Sequence, residues 1–97
     1  MPKGYMISAY RSPADLEKAK AYRVLAVPAL KAMGGNFLAS GGRVVAKENG
    51  VSERIILIEF ESFDAAVAAY ESDDYQKVLA LLDGGADRDI RLFEGLE

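Results

Sequence analysis

Ninety-seven residues, 51% hydrophobic and 28% charged, suit one soluble domain, residues 1–97, with ample apolar matter for a core. The net charge is −3 and the twelve basic residues are scattered singly, which argues against nucleic-acid binding and against a polybasic membrane tether. The chain has no cysteine, histidine or tryptophan. That removes disulfides, thiolate nucleophiles, Cys/His zinc sites and imidazole as base or haem ligand. Any catalysis must come from carboxylates, Tyr, Lys, Arg, Ser or backbone amides, and the residues call for no cofactor. Met1-Pro2-Lys3-Gly4 leads straight into an alternating segment with no signal-like or membrane-spanning run, so the expected location is cytoplasmic.

Gly4–Tyr10 reads as a strand with Tyr5, Ile7 and Ala9 on one face and Met6, Ser8 and Tyr10 on the other. Ser12 then serves as helix N-cap, with Pro13 at the first helical position and Asp15 in the first turn. Leu16, Ala19, Tyr22/Arg23, Ala26, Leu30 and Met33 recur at helical spacing. Pro28 removes a backbone hydrogen bond, which predicts a kink or break near Val24–Val27, and Gly34-Gly35 ends the helix.

Asn36–Ser40 and Arg43–Glu48 read as two pieces of one strand, bent at Gly41-Gly42. Asn49-Gly50 signals the turn before a strand over Arg54–Phe60. Ser62 caps an Ala-rich helix, Phe63 to Glu71. Ser72-Asp73-Asp74 opens a short helix over Tyr75–Leu82, stopped by Asp83-Gly84-Gly85. Asp87–Glu94 is the last strand.

The order β-α-β-β-α-β, with right-handed crossovers, puts both helical regions on one face of a four-stranded antiparallel sheet. This is the ferredoxin-like α+β architecture. In Arg54–Phe60, Ile55 and Leu57 point one way and Ile56, Ile58 and Phe60 the other. A strand with one solvated face alternates apolar and polar residues, and this one does not. Helices cover one face only. A bare apolar face of ~600–800 Å² per subunit matches one side of a standard interface, so the expected partner is a second copy, sheet to sheet.

Several stretches together resemble the family catalogued as domain of unknown function 1330, within the dimeric α+β barrel superfamily. They are Lys3-Gly4-Tyr5, Tyr22-Arg23, Val27-Pro28, Gly34-Gly35, Ile58 through Ser62, Tyr70 with Ser72, Tyr75-Gln76 and Glu94-Gly95. The resemblance implies a ferredoxin-like homodimer and no established activity. The wider superfamily includes cofactor-free monooxygenases, small isomerases and haem-handling enzymes. Many members of the family carry an Arg late in the second helical region, where this chain reads Val78 to Leu82; that Arg is lost here or its role falls to Arg88.

Glu59 is the candidate catalytic residue, a carboxylate set among Ile58 and Phe60 and suited to exchanging a proton; the competing reading is a structural ion pair. Tyr5, Tyr22 and Tyr75 are candidates to line a ligand pocket between sheet and helices, against the simpler reading of core filling. Arg23 and Arg43 are candidates to hold a carboxylate, against solvated surface charge. The glycine pairs fit no phosphate-loop pattern, and Asp73-Asp74 reads as a cap rather than a metal site.

Three functions compete. One is a dimer binding a small organic ligand between sheet and helices. The second is a cofactor-free oxygenase or isomerase with Glu59 as base and Arg23 or a Tyr steadying the oxyanion. The third is a structural dimer without catalysis. A cavity below ~300 Å³ counts against the first two.

Overall fold

In the computed structural model, which describes residues 1–97, strand β1 spans Gly4–Tyr10 and helix α1 spans Leu16–Ala32. Strands β2 (Asn36–Ser40) and β3 (Ile55–Phe60) follow. Helix α2 (Phe63–Glu71), helix α3 (Asp73–Leu79) with a 3-10 turn at Ala80–Leu82, and strand β4 (Arg88–Glu94) complete the chain. The strands form one antiparallel sheet in the order β2-β3-β1-β4, the ferredoxin-like arrangement. No helix is long and apolar enough to cross a membrane.

Strand parity decides what each sheet face carries. Met6, Tyr10, Ile56, Ile58 and Phe60 are buried together with Tyr22, Ala26 and Leu30 of α1, Ala66 and Ala69 of α2, and Tyr75 of α3. The other face holds Tyr5, Ile7 and Ala9, paired with Glu59, Leu57 and Ile55. Phe93 stacks on Tyr5 there, with ring centroids 5.4 Å apart. No helix packs on this second face, and the C-terminal tail leaves it bare, since Leu96 is 98% exposed. Only at one end does a loop approach it, where Val44, Val45 and Val51 border a cleft with Ala9 and Ile55.

Alanines bring α2 close to the sheet, and Gly4 makes room for its start. A Cβ at Gly4 would overlap the Ser62 carbonyl and lie 2.6 Å from Phe63 Cα. Ser72 ends α2 and caps α3 at once. Its hydroxyl donates to the Ala69 carbonyl (2.8 Å) and accepts from the Tyr75 amide (3.1 Å), which swings Tyr75 into the core.

Four local expectations are corrected. Asp15, not Ser12, caps α1: its carboxylate accepts from Lys18 N at 3.0 Å, and its own amide is tied to the Gly85 carbonyl at 2.7 Å. Helix α1 runs unbroken through Pro28, because Pro28 and Val24 lie on its exposed side, where water satisfies the freed carbonyl. Arg43–Glu48 is no strand. Gly41 and Gly42, with φ of 82° and 93°, end β2, and the residues before β3 that would have to pair with such a strand form no ladder. The irregularity in β2 falls at Leu38, between Phe37 and Ala39, rather than at the glycine pair.

Candidate functional site

Four elements deliver polar groups to one point under α1. Tyr22 comes from α1, Tyr75 from the first turn of α3, Ser8 from the middle of β1, and Arg88 opens β4. The Tyr22 and Tyr75 hydroxyls lie 2.6 Å apart, with the rings edge to face. Arg88 Nη1 donates to Tyr22 Oη and to Ser8 Oγ, each at 3.4 Å. The guanidinium also stands over the Tyr22 ring, 5.3 Å from its centroid, and over the Tyr10 ring at 6.0 Å.

Arg88 has no carboxylate within 4 Å; the ion pairs of the chain are Arg11–Asp87, Lys18–Asp83 and Arg91–Asp89. Burial works against the charge on Arg88, but the Tyr22 and Tyr75 oxygens outweigh it and keep the guanidinium firmly protonated. Burial pushes the Tyr75 phenol well above the ordinary phenol range, Tyr22 adds to this, and Arg88 offsets part of it. Tyr75 therefore stays a neutral phenol beside a fixed cation. Such a group holds an oxyanion well.

Apart from Arg23 and Ser40, the rest of the enclosure is apolar, with Met6, Ala26, Leu30, Phe37, Ile56 and Ile58 on its walls. Its volume is about 30 Å³. That is room for a water molecule or two. It falls far below the ~300 Å³ of an ordinary ligand site, which counts against a ligand wholly enclosed there. No carboxylate, lysine amine or other strong base lines it.

The family model described as Domain of unknown function (DUF1330) matches residues 3–96. The chain belongs to this family. No curated protein matches this DUF1330 chain in sequence. Among solved structures, it is similar to RPA0582, a protein of unknown function from Rhodopseudomonas palustris (TM-score 0.71, 16% identity, 99% of this chain and 84% of that one). It is similar to SnoaB, a cofactor-independent oxygenase from Streptomyces nogalater (TM-score 0.65, 10% identity, 100% and 96% covered). A dimeric ferredoxin-like protein of unknown function from Thermobifida fusca is also similar (TM-score 0.53, 13% identity, 96% and 91% covered). At these identities the likeness is one of fold.

Of the predicted site residues, the DUF1330 fold brings Tyr22, Tyr75 and Arg23 to the same enclosure. It does not bring Tyr5 or Glu59 there. Both lie on the bare face of the sheet, where Tyr5 Oη reaches Glu59 Oε2 at 3.5 Å. Arg43 is exposed in the segment after β2 and lines neither the enclosure nor its rim. The pocket of Tyr5, Tyr22, Glu59 and Tyr75 expected from sequence is thus split by the thickness of the sheet. Sequence reasoning underrated Arg88 and passed over Ser8. The signal was parity: both are polar residues on strand faces otherwise made of Met6 and Tyr10, or Ile90 and Leu92.

Proposed function

We propose that the protein is a homodimer, joined through its bare sheet faces, that binds the anionic head of a small organic acid at Arg88. The observation that carries the binding half is the guanidinium of Arg88, folded inward without a carboxylate and flanked by the Tyr22 and Ser8 hydroxyls. Arg88 is half-buried and burial works against its charge, which an incoming carboxylate or enolate would offset. The donors here can hold an anion, while no base is present to create one. Binding of a ready-made acid is therefore better supported than proton abstraction.

The small volume sets a limit. The enclosure takes the acid head, and the body of the ligand lies outside it. For the dimer, support comes from Tyr5, Ile7, Leu57 and Phe93, an apolar patch bordered by Glu59, Asp89 and Arg91 on which no helix packs. The alternative, a cofactor-free oxygenase or isomerase with Glu59 as base, draws on the fold of SnoaB alone. Its base would stand across the sheet from Arg23 and the Tyr22–Tyr75 pair.

Native mass spectrometry of protein purified from its own host tests both halves. The expected spectrum is a dimer with an acidic small molecule retained, and Arg88→Gln releases that molecule while Arg88→Lys keeps part of it. A monomer mass overturns the dimer. A dimer that retains nothing, and that takes up no added benzoate by calorimetry, overturns the ligand reading and leaves a structural dimer.

A further inference from the structure

Beside the enclosure runs an open groove of about 350 Å³, between the β1–α1 connection and the residues entering β3. Arg23 lines both spaces. Arg54 and Tyr10 line the groove with it. Arg54 reaches across toward the enclosure: its Nη2 donates to Ser40 Oγ at 3.1 Å, and Ser40 is part of the enclosure wall. The guanidinium packs against Gly41, where a Cβ would come within 2.6 Å of Nη1. The glycine thus leaves space for a flat cation at this edge.

Neither Arg23 nor Arg54 has a carboxylate within 4 Å, Glu53 on the same groove wall included. Together with Arg88 this places three unpaired guanidiniums along two adjoining spaces, in a protein with fifteen acidic residues and a net charge of −3. Like charges so placed repel one another, and the surplus of carboxylates elsewhere has not been used to balance them. Two buried side-chain polar atoms also have no hydrogen-bond partner: Tyr10 Oη, on a residue only 5% exposed, and Arg54 Nε. Both belong to the groove residues. Buried donors are nearly always satisfied, so a pair of unsatisfied ones at a cationic groove indicates missing acceptors.

We infer that Arg23, Arg54 and Tyr10 form a second anion subsite in this groove, so that the ligand is an organic acid with two acidic groups. This rests on the Arg88 reading: one acid group sits at Arg88 and Tyr22, the second at Arg23 and Arg54, and the body spans the groove. The groove supplies the room that the enclosure lacks.

Calorimetry at low ionic strength with matched probes, heptanoate against heptanedioate and benzoate against isophthalate, tests the inference. The diacid of at least one pair binds ~10-fold or more tighter than its monoacid, the usual worth of one added charged hydrogen bond. Arg54→Gln erases that advantage and leaves monoacid affinity unchanged, Arg23→Gln erases the advantage as well, and Arg54→Lys retains part of it. Circular dichroism confirms that each variant is folded. Equal affinity for monoacid and diacid, with both lost in Arg88→Gln, overturns the second subsite and leaves the first. A diacid advantage that survives both Gln variants also overturns it. If no probe binds, the Arg88 reading falls with it.

Discussion

Tyr75 is buried to 1% exposure, and its hydroxyl faces Tyr22 rather than water. Its folded-state pKa is raised, by burial first, then by Tyr22, with Arg88 opposing. In the unfolded chain the same phenol ionises near ~10. The contribution is therefore fully present below about pH 10, where both states keep the proton. Above that, the unfolded state loses its proton and the folded state does not, so stability falls as pH rises, by up to ~1.4 kcal/mol per pH unit. Tyr75→Phe should flatten this alkaline slope while costing about 1 kcal/mol at neutral pH through the lost hydroxyl pair. Urea denaturation of both proteins from pH 8 to 11 reads it directly. An identical slope in the variant would mean that Tyr75 is not the group responsible.

At the level of elements, α1 shows how a helix tolerates a proline. Its buried stripe is Ala19, Tyr22, Ala26 and Leu30, and Pro28 stands on the opposite side. The missing hydrogen bond is thus borne by solvent and not by the core. Pro28→Ala should stabilise the protein, by ~1–3 kcal/mol, since alanine restores the bond and has the better helix propensity. A higher urea midpoint is the expected result; an unchanged or lower one would show that the proline's local bend is needed for α1 to sit over the enclosure. The hairpin side of the molecule works differently. Strand β2 stops at Ser40 because Gly41 and Gly42 turn the chain with positive φ, and Arg54 then packs over the first of them. The end of β2, the groove and the second cluster of arginines are consequences of that one break.

For the molecule as a whole, the sheet is asymmetric in its partners. Two helical regions cover the face of Met6, Ile58 and Phe60, and nothing covers the face of Ile7 and Leu57. Leu57 pairs with Ile7 at the centre of that bare face. Leu57→Lys should convert a dimer to a monomer by analytical ultracentrifugation, with far-ultraviolet circular dichroism unchanged. A wild-type protein that sediments as a monomer at micromolar concentration would remove the dimer altogether. The dimer and the acid site lie on opposite faces, so Leu57→Lys should leave acid binding at Arg88 within about 2-fold of wild type if the monomer stays folded.

Much of this architecture was legible from local pattern. Period-two alternation identified β1 and β4, the serines at 62 and 72 announced α2 and α3, and Gly34 marked the end of α1 with a φ of 92°. Such features depend on neighbours a few residues apart, and their physics is local. The unbalanced apolar strand Ile55–Phe60 was likewise visible, because covering two faces is a demand of composition. Tyr5 and Glu59 were legible as residues and misplaced as a site: strand parity put both beside Ile7 and Leu57, and only the packed helices decided which face would become the enclosed one. The meeting of Tyr22 with Tyr75 and Arg88 had no local signature at all. These residues are 53 and 66 positions apart, and no spacing rule reaches that far. Their contact, the unpaired charge on Arg88 and the groove that continues it through Arg23 exist because α1, α3 and β4 converge in three dimensions, where burial and distance rather than sequence order set the chemistry.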